Sequence, residues 1–263
     1  MEILINGARI HYRRSGAGFP VVFLHAGVAD SRMWEPQAHG LGKHFDVIAP
    51  DRRGCGDSEL PAGPWSPVAD VLALMDALGL RQAPHLVGCS IGGSLAIDFT
   101  LEHAERVSKL VLVGAGVGGM THGDKYEDLY AEVQAAEDAK DMAALNEAEA
   151  RLWLDGPRRP KGHVDKRLQD LFLDMNGTSL SSDFDSAPPQ ELEPPALGRL
   201  AEITSPTLVV VGDEDLQPVL ETADLLVSKI RGARKAVIHD AAHLPNLEHP
   251  ERFNRILLDF LNG

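Results

Sequence analysis

Cysteine is scarce in this sequence, with Cys55 and Cys89 the only two among 263 residues. Small secreted proteins that rely on disulfides need a denser cysteine framework, so that class is excluded. Long apolar runs are missing too. None approaches the roughly 20 residues of a membrane-spanning helix, and the N-terminal segment lacks the apolar core of a signal peptide. We therefore predict a cytoplasmic protein that does not associate with membranes.

Positive charge is also in short supply, with 25 lysines and arginines against 39 aspartates and glutamates, a formal net charge of −14. A surface of this sign repels the phosphate backbone, which argues against nucleic-acid binding. An acidic small molecule stays open as a substrate, because a few local arginines can outweigh the global field at short range. The oligomeric state is not readable from the sequence.

Continuous apolar runs and helical patterns alternate along the chain. Six runs are apolar at most positions, which is typical of strands buried on both faces of a parallel sheet. Between two of them, Ser66 is a helix N-cap, apolar residues repeat at helical spacing over 68–75, and Gly79 is a stop. Together with a hairpin turn at Asn6-Gly7, this alternation predicts an α/β fold. The six runs begin at Val21, Phe45, His85, Lys109, Thr207 and Lys235.

The alternation stops in the segment 120–204, which has no strand-like run. Its longest patterned stretch, AEVQAAEDAKDMAALNEAEARLWL, is strongly helical by propensity. We predict a core formed by residues 1–119 and 205–263, with the segment 120–204 inserted as a helical cap.

A nucleophile motif lies at Gly88-Cys89-Ser90-Ile91-Gly92, which matches the pattern G-x-S-x-G. An apolar run leads in and a helix-compatible segment leads out. A sharp strand-to-helix turn at this place forces the serine into a sparsely allowed conformation and raises its hydroxyl above the sheet. Ser90 is therefore the candidate nucleophile, and Cys89 is expected to be a buried packing residue rather than a reactive thiol.

A serine hydroxyl is a weak nucleophile, so it needs a base, and the base needs an orienting acid. The order along the chain expected for such a turn is serine, acid, histidine. We choose Asp215, which follows a buried strand, and keep Asp213 as the alternative. For the base we choose His243, in a loop before the last helix, over His239 and His249.

The oxyanion of a tetrahedral intermediate needs fixed donors. We assign the backbone N–H of Ile91, which follows the nucleophile, and that of Gly27, in the loop after the first apolar run. Trp34 is expected behind this loop and at the pocket. The residues predicted to line the substrate pocket are Trp34, Met120, Trp153 and Leu216.

We predict structural roles for two glycine-rich segments. Residues 51–58 are expected to form a structured loop under the site. Residues 114–119 satisfy G-x-G-x-x-G, but a dinucleotide site also needs a helix opening there and an acid after the next strand. The sequence has neither, so these glycines are explained by a hinge at the cap.

These segments together resemble the α/β-hydrolases over essentially the whole chain. The resemblance rests on LHAG, APDRRGCGDS, VGCSIGG, VVVGDED and AAHLPNLEHPERF. The chain is similar to the lid-bearing esterases, lactonases and cofactor-free haloperoxidases, including 3-oxoadipate enol-lactonase-like proteins. The resemblance implies an eight-stranded, mostly parallel sheet with a cap, and Ser90, Asp215 and His243 as a triad. Ala26 departs from the group, which usually has glycine there.

The predicted function is that of a serine hydrolase, which cleaves a small carboxylic ester or lactone through an acyl-enzyme and needs no cofactor or metal. A carbon–carbon bond hydrolase or a perhydrolase would use the same residues, and a non-enzymatic ligand receptor is the alternative from another class. Arginines of the cap either bind a substrate carboxylate or form solvated surface. They are Arg151, Arg158 and Arg159.

Overall fold

The computed structural model describes residues 1–121, 127–128, 130–182, 184 and 187–263. Its strands are β1 (Glu2–Ile5), β2 (Ala8–Gly16), β3 (Phe19–Leu24), β4 (Phe45–Pro50), β5 (His85–Cys89), β6 (Lys109–Val113), β7 (Thr207–Gly212) and β8 (Arg234–Ile238). They form one sheet in the order β1-β2-β4-β3-β5-β6-β7-β8. The β1–β2 and β2–β4 pairs are antiparallel and the other neighbours are parallel.

Helices join the strands. They are α1 (Glu35–Leu41), α2 (Pro67–Ala77), α3 (Ile91–Glu102), α4 (Ala131–Asp138), α5 (Met142–Glu149), α6 (Lys166–Leu180), α7 (Gln217–Lys229), α8 (Pro245–Glu248) and α9 (Pro250–Asn262). The helix predicted after Ser66 is α2, and the serine Oγ accepts the N–H of Ala69 at 3.2 Å. This side-chain cap satisfies one of the free amides of the first turn.

Both faces of the sheet are covered, and β3 shows how one strand serves two cores. Val21 and Phe23 belong to a cluster that includes residues of α1 and α9. Val22 and Leu24 belong to a second cluster that includes residues of α2 and α3. Because successive side chains point to opposite faces, a strand covered on both sides must be apolar at every position. The predicted α/β fold with a mostly parallel eight-stranded sheet is confirmed.

The last apolar run is an exception to burial on both faces. In β8, Arg234 and Lys235 are exposed and only Ile238 is fully buried. The strand lies at the end of the sheet and pairs with β7 alone among the described strands. An edge position explains why half of this strand meets solvent.

The described part of the segment between β6 and β7 contains helices joined by turns and adds no strand to the sheet. It contains α4, α5, a π-helical stretch at Ala150–Asp155, and α6. Phe172 and Met175 of α6 are buried in the same cluster as Val21 and Phe23. Residues 122–126, 129, 183, 185 and 186 of the predicted cap lie outside the described residues, and the division at 120 and 204 stays a prediction. In the described part of the chain, no helix is both long and apolar enough to span a bilayer.

Glycines let β5 and α3 approach each other closely at their junction. A β-carbon on Gly88 would clash with the backbone carbonyl oxygen of Gly92 and lie 2.8 Å from the Cα of Gly93. Backbone atoms cannot give way as a flexible side chain can.

We expect Gly88→Ala to lower the free energy of unfolding by about 2–3 kcal/mol, because the added methyl group overpacks this junction. Urea titration followed by circular dichroism would measure the change through the midpoint. Gly198→Ala is the matched control, since a β-carbon there meets no atom within 4 Å. Equal stability of the two variants would contradict the steric explanation.

Candidate active site

The candidate nucleophile sits on a strained turn. Ser90 has φ 54° and ψ −120° between the end of β5 and the start of α3. Its N–H donates to the carbonyl of Val113 at 2.8 Å, which anchors the turn to β6. A non-glycine residue at positive φ persists only where the surroundings impose it. The structure therefore places Ser90 at a strand-to-helix elbow of the kind that its sequence motif indicates.

Two aspartate–histidine pairs connect the loops after β7 and β8, and burial distinguishes them. His243 Nδ1 lies 2.9 Å from Asp215 Oδ2, and the two residues are 2% and 0% exposed. His239 Nδ1 lies 2.7 Å from Asp213 Oδ2, but that histidine side chain is 69% exposed. His249 Nε2 lies 2.9 Å from the backbone carbonyl oxygen of Asp240 and forms no hydrogen bond with a described carboxylate. Only the Asp215–His243 pair is shielded from water, which strengthens its hydrogen bond.

The imidazole of His243 is held on several sides. Its ring centroid lies 4.6 Å from that of Trp153, and the backbone N–H of His243 donates to the backbone carbonyl of Trp153 at 3.2 Å. A β-carbon on Gly114 would come within 3.1 Å of the ring. A carboxylate only accepts hydrogen bonds, so Nδ1 donates to Asp215 and Nε2 is left as the acceptor. That Nε2 is buried and has no hydrogen-bond partner among the described residues.

Cys89 adjoins the elbow without sharing its chemistry. It is fully buried, and its Sγ lies 3.9 Å from the carbonyl oxygen of His243. Burial, and then the charge of Asp215, raise the pKa of its thiol. A neutral buried thiol is a packing group and a poor nucleophile, in line with the interpretation from the sequence.

The candidate oxyanion loop is clamped by His25. The ring Nδ1 donates to the carbonyl of Ala26 at 2.7 Å, and Nε2 accepts the backbone N–H of Arg52 at 2.8 Å. Burial, and then the charge of Arg52, lower the pKa of His25 well below its usual range. The neutral ring therefore joins two loops. Gly27 follows directly, and a β-carbon there would lie 3.6 Å from Ile91 Cγ2.

The loop 51–58 is structured as expected, with a carboxylate at its centre. Asp51 accepts the N–H groups of Ser31 at 2.7 Å and Asp57 at 3.1 Å, and lies 2.8 Å from His11 Nδ1. His11, Asp51 and Asp57 are close enough to share a metal ion. The oxygens of Asp51 already accept these bonds, so the cluster is explained as a hydrogen-bonded turn.

A cavity of about 530 Å³ opens beside the candidate oxyanion donors. Gly27 and Ile91 both line it. Ser94 and Asp98 line it too, one and two turns along α3 from Ser90, so this helix face points towards the cavity. The four-residue spacing of Ser90, Ser94 and Asp98 is visible in the sequence. The sequence does not show, however, that this face of the helix is left uncovered.

The four predicted pocket residues lie elsewhere, since none is among the described residues that line this cavity. Trp34 is fully buried in the core, with ring centroids 4.9 Å from Phe23 and 6.3 Å from Phe253. In this structure it packs behind the loop and does not line this cavity. The structure gives Met120, Trp153 and Leu216 other contacts. Met120 Sδ lies 3.6 Å from a threonine hydroxyl, Trp153 contacts His243, and Leu216 N–H donates to Asp215 at 2.8 Å.

The three cap arginines are already bonded within the protein. Arg151 donates to the carbonyl of Gly156, and Arg158 pairs with Glu214 at 3.0 Å. Arg159 pairs with Glu248 at 2.7 Å and has a side chain only 6% exposed. None of the three is among the described residues that line the cavity. Arg159 is a buried structural residue. It therefore has neither of the two roles that the sequence left open, binding of a substrate carboxylate and solvated surface.

Asp98 is the acidic group that sequence reasoning missed. Its Oδ1 is buried and has no hydrogen-bond partner among the described residues. Burial raises its pKa to about 6; nearby Glu102 and Glu191 act in the same direction, against the charge of Arg199. Of the glycines in 114–119, Gly118 and Gly119 also line the cavity. They belong to the wall of the candidate site.

The chain belongs to the alpha/beta hydrolase family, whose model matches residues 21–256. It is 32% identical to 2-hydroxymuconate semialdehyde hydrolase of Pseudomonas sp. (strain CF600), over 99% of this chain and 93% of that protein. It is also 32% identical to 2-hydroxy-6-oxo-6-phenylhexa-2,4-dienoate hydrolase of Comamonas testosteroni, over 96% and 91% of the two chains. The enol-lactonase from Burkholderia xenovorans LB400 superposes with a TM-score of 0.80 over all of both chains at 27% identity. These comparisons thus establish that the protein is a hydrolase.

We expect His25 to stay neutral, as the Nδ1–H tautomer, between about pH 8 and about pH 5. A backbone carbonyl can only accept and a backbone amide can only donate, so both partners require this tautomer. Long-range ¹H–¹⁵N NMR of the imidazole nitrogens would show it, with His25→Asn used to identify the signals. A doubly protonated His25 ring at about pH 6 would contradict the clamp.

Proposed function

We propose that the protein hydrolyses the carbon–carbon bond next to the C6 carbonyl of a small 2-hydroxy-6-oxodienoate, with Ser90 as nucleophile. The observation that carries this proposal is the likeness over almost the whole chain to hydrolases named for such compounds. It replaces the ester or lactone of the sequence-based prediction as the first choice. The buried Asp215–His243 pair and the elbow at Ser90 supply the chemistry.

In the first step, His243 Nε2 takes the proton of Ser90 Oγ while that oxygen attacks the C6 carbonyl. This role is supported by His243 Nε2, to which none of the described residues forms a hydrogen bond. The N–H groups of Gly27 and Ile91 bind the oxyanion. Asp215 keeps the ring in the Nδ1–H tautomer and stabilises the imidazolium as it forms.

In the second step, the adduct carries the substrate as its 2,6-dioxo tautomer, which forms when the 2-hydroxyl proton moves to C5. The bond between C5 and C6 breaks, and its electron pair is delocalised through C3 and C4 onto the C2 carbonyl oxygen, so that the fragment departs as a dienolate. The imidazolium of His243 protonates that fragment at carbon, which leaves an acyl group on Ser90. His243 then takes a proton from water as the water attacks the acyl carbon, and it returns the proton to the Ser90 oxygen. The products are a carboxylic acid and the protonated fragment, and one water is consumed.

Ester or lactone hydrolysis is the second candidate. The superposition on an enol-lactonase at 27% identity favours it. The same acyl-enzyme forms, with an alkoxide in place of the carbon fragment as leaving group. In both cases we propose that the segment 120–204 covers the cavity and that the partner is a small molecule.

We expect Ser90→Ala to lower kcat/KM by about 10⁴- to 10⁶-fold on the substrate class that the enzyme uses, because the nucleophile is lost. A panel of 2-hydroxy-6-oxo-6-phenylhexa-2,4-dienoate, 4-nitrophenyl butyrate and dihydrocoumarin would be followed by absorbance. The dienoate should have the highest wild-type kcat/KM. Ser228→Ala, an exposed serine of α7, is the matched control and should be unchanged.

The panel also separates the alternatives. Preference for the lactone or the ester would make the second candidate the function. Turnover of all three by Ser90→Ala at wild-type rates would reject the nucleophile. Single-equivalent reaction without turnover in the wild type would instead indicate a receptor.

We expect Asp215→Asn to lower kcat by about 10³- to 10⁴-fold with little change in KM. An asparagine keeps an oxygen for the Leu216 N–H but presents an N–H₂ group to His243, and this favours the wrong tautomer. Steady-state kinetics would measure the loss, with Asp213→Asn as the matched control from the exposed pair. An equal loss in both variants would remove the distinction between the two pairs.

A further inference from the structure

Arg52 and Arg53 are adjacent arginines with opposite surroundings. Arg53 is buried, pairs with Asp70 and lies over the Trp65 ring at 5.3 Å. Arg52 lines the cavity and forms no ion pair with any described residue. Its single side-chain hydrogen bond to the described residues runs from Nη2 to the carbonyl of Ala26, at 3.3 Å.

A guanidinium carries five N–H donors, and this one uses few of them. Its Nε is buried and has no hydrogen-bond partner among the described residues. Arg52 is half-buried, so its cationic group is partly desolvated with few partners, and an incoming anion offsets part of that cost. Because His25 holds the Arg52 backbone, the side chain starts from a fixed point beside the oxyanion loop.

Part of the cavity wall is acidic. Asp98 and Glu191 line it there. Asp98 is seven residues beyond Ile91 on α3, about 10 Å along the helix axis. The cavity thus runs from a cation beside Gly27 towards carboxylates, and this gradient orients any substrate that has one anionic end.

We propose that Arg52 binds a carboxylate of the substrate and so determines specificity for carbonyl compounds that carry an anionic group a short distance away. The proposal rests on the proposed function, since it takes this cavity as the substrate site. Arg52 contacts the carbonyl of Ala26, the residue before Gly27. A bound carboxylate would therefore lie on the order of 7 Å from the Gly27 N–H. A chain of about four bonds between ketone and carboxylate spans that distance.

The test compares the binding of 5-oxohexanoate with that of 2-heptanone, a neutral ketone of similar length. Neither compound has to be hydrolysed, and dissociation constants come from NMR titration of the wild type. We expect the carboxylate compound to bind about 10- to 100-fold more tightly, as charge-assisted hydrogen bonds do. A longer homologue, 10-oxoundecanoate, should lose this advantage because its carboxylate reaches Asp98 and Glu191.

Variants of Arg52 and of a distant arginine distinguish a local contact with the carboxylate from the effect of the protein's overall charge. Arg52→Gln should abolish the preference for 5-oxohexanoate and leave the affinity for 2-heptanone within about threefold, whereas Arg52→Lys should keep part of the preference. Arg13→Gln, at an exposed position of β2, removes the same charge elsewhere and should change neither affinity.

Three outcomes would overturn the proposal. They are equal wild-type affinities for the two ketones, an equal loss for both in Arg52→Gln, and loss of the preference in Arg13→Gln. If Arg52→Gln does not fold, the proposal is judged by the ratio of the two wild-type affinities and by the affinities of Arg52→Lys. Since binding is measured without turnover, failure of this test is distinct from failure of the proposed reaction, which the substrate panel with Ser90→Ala reports.

Discussion

A strand and a helix meet at Ser90 with no room for a β-carbon at Gly88 or Gly92, and the arrangement of the site depends on this close approach. The serine accepts φ 54° because its N–H is bonded to Val113 and the glycines allow the flanking backbones to pack. The strain at one residue is offset by the packing of β5 and α3. The same turn starts α3 at Ile91, whose N–H is then free of an intrahelical partner.

Burial distinguishes the two aspartate–histidine pairs near the site. The loops after β7 and β8 bring together two aspartate–histidine pairs with almost the same hydrogen-bond length. One pair is exposed and solvated, so its interaction is screened; the other lies between Trp153 and Gly114 and excludes water. Of these two pairs, the buried one offers a proton acceptor with a fixed tautomer, and that acceptor has no hydrogen-bond partner in the described part of the chain.

Loops clamped to one another complete the site. Neutral His25 joins the Ala26 carbonyl to the Arg52 amide, while Asp51 gathers the amides of two further segments. These bonds hold Arg52, which forms no ion pair with any described residue, at the cavity wall of a protein whose net charge is −14. A local positive charge within a negative surface is the condition under which a small anion is both attracted and oriented.

The sequence by itself determined the α/β fold, because strands covered on both faces must be apolar throughout, and local patterns carry that signal. It also indicated Ser90, Asp215 and His243, since the elbow and the loops after buried strands are local features. The lining of the cavity was decided by tertiary structure alone. Trp34 is in the core, the cap arginines are bonded internally, and Arg52 and Asp98 face the cavity. Which side of a loop or helix stays uncovered depends on segments distant in the chain, and no local pattern records that.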